Sequence, residues 1–444
     1  MNDFQKDKEL IFTLSSLTFS ATGDSFITRR LPSVEEKSFN QLAKLIQQTD
    51  FRFTNLETTI HNEEGFPAAN SGGTWAMSSP NILKDLKAYG FNVLAWANNH
   101  TLDYLHDGLL ATERYLDEAN ILHSGVGKNL AAASAPKYLE TVNGRVAIIS
   151  VTSTIHESGI AGEQRPDLSG RPGVNPLRYE TYFYVTAEKM KALKSIAKET
   201  YLNATRDLSI KEGFILPDKS NVFHFGQYKF VQGTETKKVT KPKEEDVQRL
   251  IEKISEAKRQ ADAVLISIHS HEMDADDKSE PAQFLIEAAK RCIDAGADAI
   301  IGHGPHILRG IEIYKNKPIF YSLGNFIFQN DSVEKLPADF YTKYELDHYA
   351  NISDALDARS DSDTRGFAMD RRFWESVVAT WSMKDGVVTE IQLHPIELGY
   401  GKKRHQRGWP TLVKNDDIIK QLQQLSEPFG TQITIEDGKG IIKF

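Results

Sequence analysis

The stretch Gly296-Ala-Asp-Ala-Ile-Ile-Gly-His-Gly-Pro-His306 joins a short apolar run to two histidines. The apolar residues 299–301 predict a buried strand, and Gly304 and Pro305, which lie between the histidines, predict a turn. Neutral imidazole is a common metal ligand, and a turn fixes the direction of both rings. This stretch alone fits a metal site and a histidine-containing loop equally well, so the rest of the chain must decide between them.

Composition and charge are those of an ordinary globular protein. The chain has 444 residues, of which 40% are apolar and 26% are charged, and this length suffices for one large domain or for roughly two to three of ordinary size. The net charge of −8 argues against a general nucleic-acid-binding protein, which would present a basic face. The single cysteine, Cys292, excludes an intramolecular disulfide, and we expect it to be a small core residue in a helix.

The beginning of the chain bears on the compartment. Residues 1–9 are polar and charged, and the apolar stretch 10–19 is too short to span a bilayer. It is not preceded by a basic segment, and no clean cleavage site indicates a signal peptide. We therefore expect no transmembrane segment and a cytoplasmic protein, although a chain from which a leader had been removed would give the same sequence.

Strands and amphipathic helices alternate along much of the chain, as in α/β proteins. Residues 155–245 interrupt the alternation and predict an insertion into the core domain, with a helix near 189–199 and a surface connection over 236–246. Residues 331–372 are polar and predict a long loop. The predicted strands cover 17–24, 51–57, 92–100, 146–151, 262–268, 310–315, 318–323, 375–383 and 387–393, and the tail from 416 predicts one helix and two short strands. The predicted helices cover 34–48, 79–89, 108–119, 246–260 and 281–295.

Polar side chains occupy the carboxyl ends of these strands. In open α/β sheets such ends meet at one edge, where ligands bind. Carboxylates, amides and imidazoles suit divalent cations, and two cations roughly 3.5–4 Å apart can activate a water and polarise an electrophile. Each residue alone has an ordinary structural explanation, but coincidence at five strand ends favours a metal site. In chain order the residues are Asp24, Glu57, Asn98, Asn99, His100, His269, His303 and His306.

An ordered set of motifs resembles the CapA family of poly-γ-glutamate capsule biosynthesis proteins. The match extends over about 17–398 and consists of Thr22-Gly-Asp24, Asn55-Leu-Glu57, Asn98-Asn-His100, Arg171-Pro-Gly-Val-Asn-Pro-Leu-Arg178, His269, Gly302-His-Gly-Pro-His306 and Ser322-Leu-Gly-Asn-Phe326. That family is similar to calcineurin-like metallophosphoesterases. The resemblance implies an α/β fold, a four-layer αββα sandwich of two mixed sheets. We expect one such domain over 10–400, with an insertion at about 155–245, a long loop at about 331–372, and a C-terminal extension, 401–444, packed on the core.

The resemblance also implies roles for the polar residues. Asp24 and Glu57 correspond to the metal-binding aspartates, with Glu57 as the bridging ligand, and His100 corresponds to the acid or phosphate-orienting histidine. The implied cofactor is one or two divalent ions, Mn, Zn or Fe. The remaining implied metal ligands are Asn99, His269, His303 and His306.

This chain departs from the phosphoesterase pattern. Phe26 stands where phosphoesterases usually place a histidine, so one metal position loses a ligand and binding of a single ion stays an alternative. The bridging residue is glutamate, and the last pair is His-x-x-His rather than His-x-His. Glu272 is a candidate ligand or general base. His271, where relatives more often carry Trp-Gly, is a candidate substrate contact, and it can also stand in for the missing ligand.

Further candidate substrate contacts are Asn98, Arg171 and Arg178, because a guanidinium binds carboxylate or phosphate in a fork. The arginines have an alternative role of equal weight, which is to hold the insertion onto the core. Three functions stay open. The first is a metal-dependent hydrolase or transferase of a small or oligomeric anionic substrate of the amide or γ-glutamyl type. The second is a metallophosphoesterase, and the third is a non-catalytic polymer-handling protein with a vestigial site. The sequence does not determine the oligomeric state.

Overall fold

The computed structural model describes residues 16–31, 37–217, 221–347 and 349–444. The start of the helix predicted at 34 and most of the apolar stretch 10–19 lie outside these residues. The strands are β1 (Leu17–Phe26), β2 (Phe51–Leu56), β3 (Thr59–Ile60), β4 (Met77–Ser78), β5 (Val93–Ala95), β6 (Leu122–Ser124), β7 (Val126–Gly127), β8 (Lys137–Thr141), β9 (Gly144–Thr152), β10 (Gly173–Val174), β11 (Tyr179–Val185), β12 (Val222–Phe225), β13 (Tyr228–Gln232), β14 (Lys237–Pro242), β15 (Ala263–His269), β16 (Ala299–His303), β17 (Ile311–Tyr314), β18 (Lys317–Phe320), β19 (Asn325–Phe328), β20 (Glu375–Lys384), β21 (Val387–Glu397), β22 (Thr411–Leu412), β23 (Thr434–Glu436) and β24 (Lys439–Lys443). The α-helices are α1 (Lys37–Gln47), α2 (Leu83–Tyr89), α3 (Leu105–Glu118), α4 (Leu130–Ala133), α5 (Ala187–Glu199), α6 (Ala204–Lys211), α7 (Glu244–Lys258), α8 (Gln283–Asp294), α9 (Ala338–Lys343), α10 (Ile352–Ser360) and α11 (Asp416–Ser426).

Two mixed β-sheets face each other at the centre of the molecule. The first has ten strands in the order β23-β24-β21-β20-β1-β2-β5-β6, with β19 beside β1 and β22 beside β21. The second has six strands in the order β17-β18-β16-β15-β9-β8. Phe53 and Trp381 of the first sheet share one core with Leu265 and Phe320 of the second, and the rings of Trp381 and Phe320 lie 5.5 Å apart.

Helices cover the outer face of each sheet. Leu42 of α1, Leu86 of α2 and Leu109 of α3 pack on the first sheet, and Leu250 of α7 and Ala288 of α8 pack on the second. Strands that are buried on both faces must be apolar throughout, which is why β15 and β16 read as continuous apolar runs. The order helix, sheet, sheet, helix confirms the expected four-layer αββα sandwich.

Two segments predicted to be irregular are ordered, so those predictions are wrong. β14 falls in the supposed surface connection, and it pairs with β11 from Tyr179↔Pro242 to Tyr184↔Lys237 in a four-stranded sheet, β12-β13-β11-β14. The charge of its lysines led to the prediction of a surface connection, although the segment has the alternating pattern of a strand. The polar stretch 331–372 contains α9 and α10, which bury Phe340, Ala355 and Leu356.

The C-terminal residues extend the core. β24 pairs with β21 at the edge of the first sheet, and Ile419 and Leu422 of α11 join the apolar residues between the two sheets. The one helix and two strands predicted there are confirmed, while the domain boundary at 400 stays a prediction. Within the described ranges, every helix falls short of the length or the apolarity that crossing a membrane requires.

His394 on β21 makes the stability of the protein depend on pH. The side chain is buried beside the Thr380 hydroxyl, and burial, with a smaller effect from the charge of Lys439, lowers the pKa of His394 from 6.5 to about 4. As the pH falls from about 6.5 to about 4, the unfolded chain takes up a proton at this residue and the folded protein does not. We expect His394 to reduce the free energy of unfolding by roughly 3 kcal/mol across that window.

The measurement is urea unfolding between pH 4 and pH 7 for the wild type and for His394→Gln, which can keep the contact with Thr380. The variant should show a shallower loss of stability on acidification. Equal slopes for the two proteins would contradict the prediction.

Candidate metal centre

The predicted ligands lie together between the two sheets. Asp24 lies in β1 and Glu57 directly follows β2, both in the first sheet, whereas His269 and His303 end the neighbouring strands β15 and β16 of the second sheet, where they are paired in register. His306 lies in the turn after β16. The residues therefore converge from two facing sheets. The expectation that they meet at one edge of a single sheet is too simple.

Asp24 is fully buried and surrounded by imidazoles. Its Oδ1 atom lies 3.3 Å from His303 Nδ1 and 3.8 Å from His269 Nδ1, and its Oδ2 atom lies 3.6 Å from His306 Nδ1. The Asn55 amide donates to Oδ1 at 2.8 Å and the Gly304 N–H donates to Oδ2 at 2.9 Å. Burial alone would raise the pKa of Asp24, but the hydrogen bond and charge of His303 outweigh it and lower the pKa.

Glu57 is fully buried, and neither carboxylate oxygen has a hydrogen-bond partner among the described residues. Oε1 lies 3.7 Å from His269 Nε2, and Oε2 lies 3.6 Å from His306 Nδ1. Burial, followed by the nearby charges of Asp24 and Asp103, raises the pKa of Glu57 well above its ordinary value. A buried carboxylate without donors is costly, and a cation at this point would satisfy both oxygens.

The histidines form a contiguous row. His269 Nδ1 lies 3.0 Å from His303 Nδ1, and His269 Nε2 lies 3.0 Å from His271 Nε2. The other ring nitrogen of His303 lies 2.7 Å from the Ser267 hydroxyl. Burial, with the neighbouring imidazoles, holds the pKa of His269 and of His271 well below 6.5, and burial lowers the pKa of His306 to about 4. The rings of His269, His271 and His306 are thus neutral at pH 7, the form that binds metals.

Three overlapping groups of these side chains could each hold a cation, because the ligand atoms within each group lie within 4.8 Å of one another. Two groups share Asp24 and two share Glu57, which is the arrangement that two adjacent ions need. The residues present therefore fit one or two divalent ions. The groups are Asp24 with His269 and His303, Asp24 with Glu57 and His306, and Glu57 with His269 and His271.

His100 is held at the border of this cluster. Its Nδ1 atom lies 2.6 Å from Asp103 Oδ2, and the edge of the Phe26 ring packs against it with ring centres 5.1 Å apart. Asn99 donates to the Gly72 carbonyl at 2.8 Å, while its Oδ1 atom is buried without a partner among the described residues. Asp103 was missed in the sequence, where its only signal is the spacing of three residues from His100.

A cleft of about 730 Å³ opens beside the cluster and reaches it at Asn99, His271 and Glu272. The Glu272 carboxylate accepts hydrogen bonds from the hydroxyls of Ser153, Thr154 and Ser270. It therefore lies beside the ligand cluster without joining any of the three groups.

The remaining candidate contacts have internal partners. Asn98 is fully buried, donates to the Leu56 carbonyl and accepts from the His100 N–H, so it links the segment after β5 to the end of β2. Arg171 is exposed, donates to the Ile160 carbonyl and is not among the residues that line the cleft. Arg178 lines the cleft.

Arg178 is bound by Asp246, whose side chain is 0% exposed, through Nε and Nη2 at 2.8 Å each. This pairing fits the role of holding the insertion onto α7. We expect Arg178→Met to lower the free energy of unfolding by about 2 kcal/mol, since hydrogen bonds to a charged, buried carboxylate are lost. Equilibrium urea unfolding would measure this change, and Arg171→Met, which removes only an exposed contact, is the matched control. Equal stabilities for the two variants would contradict the prediction.

Two cations near the cluster carried no signal in the sequence. The Arg309 guanidinium is fully buried and donates to the carbonyls of Ser270, His271, Glu272 and Lys278, and burial lowers its pKa to about 10. The Lys278 ammonium lies 4.5 Å from the centre of the Phe373 ring, and burial, followed by the charge of Arg309, lowers its pKa to about 8.

Comparison with known proteins places the chain among capsule synthesis proteins. A family model described as "Bacterial capsule synthesis protein PGA_cap" matches residues 18–330. The uncharacterized protein y4sH of Sinorhizobium fredii (strain NBRC 101917 / NGR234) is 37% identical over 446 residues, which cover 97% of this chain and 94% of that protein. The capsule biosynthesis protein CapA of Bacillus anthracis is 26% identical over 321 residues, which cover 70% of this chain and 60% of CapA.

Solved structures are more distant. A hypothetical protein from Thermus thermophilus is 11% identical, with a TM-score of 0.39 over 86% of this chain and 99% of its own. A putative 5'-nucleotidase from Staphylococcus aureus in complex with alpha-ketoglutarate is 11% identical, with a TM-score of 0.36 over 92% of this chain and 58% of its own. Because the family model extends from β1 to β19 and so includes all the candidate ligands from Asp24 to His306, the chain belongs to the bacterial capsule synthesis protein family PGA_cap.

Proposed function

We propose that this protein is a metal-dependent hydrolase or transferase that acts on an anionic substrate of the amide or γ-glutamyl type. The observation that carries the proposal is the buried carboxylate of Glu57, which has no hydrogen-bond donor among the described residues and faces neutral imidazoles on both sides. One or two divalent ions, Mn, Zn or Fe, satisfy this arrangement. When bound, such an ion lowers the pKa of a water molecule and polarises a carbonyl group.

The side chains beside the cluster supply the proton chemistry. Asp103 fixes the His100 ring through Nδ1, which leaves Nε2 as the atom that delivers a proton to the leaving nitrogen. Asn55 and the Gly304 N–H hold the Asp24 carboxylate toward the histidines, because a ligand must be oriented by its neighbours to bind tightly.

The substrate class is supported by a cation beside the cluster and by the relatives. The positive charge of Lys278 acts on both Glu57 and His306, so it favours an anionic group next to the cluster. The relatives include proteins named for capsule biosynthesis and for polyglutamine synthesis. A polymer of glutamate linked by amide bonds is anionic, and a relative from Bacillus subtilis is named a PGA biosynthesis protein. The cleft is large enough for several atoms on each side of the cleaved bond.

The test is to strip the protein with a chelator, reload it with Mn²⁺ or Zn²⁺, and incubate it with poly-γ-glutamate. We expect new amino termini and shorter chains only in the reloaded sample. His100→Asn should reduce this turnover by about 10²- to 10⁴-fold and keep the metal affinity, whereas the exposed His405→Asn should behave like the wild type. Phosphomonoesters and phosphodiesters are assayed in parallel.

Turnover of phosphoesters without cleavage of the polymer would replace this proposal with a phosphoesterase. Bound metal without turnover on any of these substrates would point to a non-catalytic polymer-handling protein instead.

A further inference from the structure

We infer that His271 is a metal ligand, and that it completes the ion position nearest the cleft in a cluster to which position 26 gives no ligand. The inference rests on the proposed metal dependence and goes further, because it moves His271 from substrate contact to metal coordination. It also predicts that two ions bind rather than one. His271, which follows β15 of the second sheet, would help to hold the second ion, whereas position 26 belongs to β1 of the first sheet.

The geometry of three side chains supports this assignment. The facing Nε2 atoms of His269 and His271 lie 3.0 Å apart, and ligand atoms of both lie within 4.8 Å of a Glu57 oxygen. A simple hydrogen bond between the two rings would leave Glu57 without a donor among the described residues. A cation between the three side chains satisfies all of them at once, since neutral imidazole nitrogens and a carboxylate are matched ligands.

Position 26 cannot provide a ligand. Phe26 is buried and packs its ring edge against His100 and against Phe328. The side chain at position 26 therefore gives the cluster an apolar contact and no ligand atom. His271 enters from the other side, two residues after His269, and its ring packs edge-on against His306 with ring centres 5.3 Å apart.

The backbone of His271 is fixed on both sides. Its N–H donates to the Thr154 hydroxyl at 2.8 Å, and its carbonyl accepts from the buried guanidinium of Arg309. Arg309 also holds the carbonyls of Ser270 and Glu272. These hydrogen bonds fix the position of the His271 backbone, as is required of a metal ligand. Arg309 is accordingly a positioning residue for His271.

The location of this ion has a functional meaning. His271 lines the cleft, whereas Asp24 and His303 are fully buried. An ion held by Glu57, His269 and His271 would thus be the one that an incoming substrate meets, and an ion held by Asp24 and His303 would lie deeper in the protein.

The first experiment is a calorimetric titration of chelator-treated full-length protein with Mn²⁺ and, separately, with Zn²⁺. The wild type should bind two equivalents. His271→Ala should keep one equivalent and bind the second at least about 100-fold more weakly, since loss of even an indirect contact to a metal costs 10- to 100-fold. His405→Ala, which removes an exposed histidine, should match the wild type.

The second experiment reports ligation directly and does not depend on the alanine variant. Co²⁺-loaded His271→Cys should show a thiolate-to-cobalt charge-transfer absorption in the near ultraviolet, and neither the wild type nor His405→Cys should show it. Arg309→Met should weaken binding of the ion nearest the cleft, although this substitution leaves the His271 side chain in the protein.

Two bound ions of unaltered affinity in His271→Ala, or no charge-transfer band in Co²⁺-loaded His271→Cys, would overturn the role of His271 and leave the proposed function standing. Failure of the wild type to bind any of these metals would remove the proposed function and this inference together.

Discussion

Replacing Glu57 with glutamine is expected to weaken binding of Mn²⁺ or Zn²⁺ by more than about 100-fold and, at the same time, to stabilise the metal-free protein. The two effects have one cause. The Glu57 carboxylate is fully buried with no hydrogen-bond donor among the described residues, so a bound cation would satisfy it, and its charge opposes folding when no cation is present.

The pH dependence gives the sign of the stability effect. The pKa of Glu57 in the folded protein lies well above 4.5 because of burial and the charges of Asp24 and Asp103. Above pH 4.5 the unfolded chain releases this proton while the folded, metal-free protein keeps it. The free energy of unfolding therefore falls as the pH rises from 4.5 toward the folded pKa, and Glu57→Gln removes that decline.

Urea unfolding in the presence of a chelator and calorimetric metal titration measure the two effects. Glu312→Gln is the matched control, because Glu312 is also buried but is paired with Lys290 at 2.9 Å and with the Tyr321 hydroxyl at 2.7 Å. The same substitution should destabilise the protein there and leave metal binding intact. A Glu57→Gln protein that binds metal like the wild type would contradict the prediction.

Gly23→Ala is expected to lower the free energy of unfolding by more than about 3 kcal/mol and to abolish metal binding. A Cβ atom on Gly23 would lie 1.8 Å from the Gly324 carbonyl oxygen and 2.7 Å from its carbon. Both are backbone atoms of the segment that leads into β19, and the Asp24 N–H donates to the same oxygen at 2.9 Å. The strands must separate, and Asp24 moves with them.

Thermal melting and metal titration of Gly23→Ala test this, with Gly386→Ala as the control. Gly386 has a positive φ of 76°, and a methyl group added there would meet no neighbouring atom within 4 Å, so alanine costs only the left-handed conformation, about 1 kcal/mol. Comparable melting temperatures for the two variants would show that the contact between β1 and residue 324 tolerates a methyl group.

The layers of the fold could be read from the sequence because each element carries a local signal. The cap and proline of Ser79 and Pro80 begin the turn that leads into α2, and Gly90 ends this helix with a φ of 102°. The apolar runs of β15 and β16 predicted strands buried on both faces. These signals depend only on neighbours within a few residues, so they can be recognised in the sequence without knowledge of tertiary contacts.

The convergence of Asp24, Glu57, His269 and His303 followed from their places at strand ends. Their division between two sheets did not, because nothing local in a strand shows which sheet it joins. The row of imidazoles from His303 through His269 to His271 depends on the register of β15 and β16. The partners of His100 and Arg178 likewise come from tertiary contacts, and Asp246 gave no sign of its role.

The hydrogen bonds from Arg309 to the segment after β15 identify a site where the protein can be engineered. The guanidinium holds the carbonyls of residues 270–272 on one side and of Lys278 on the other, while residues 275–277 between them are exposed. Libraries that vary the length and composition of residues 275–277 would alter the outer surface without disturbing His271. The segment is thus a natural insertion point for engineered recognition modules.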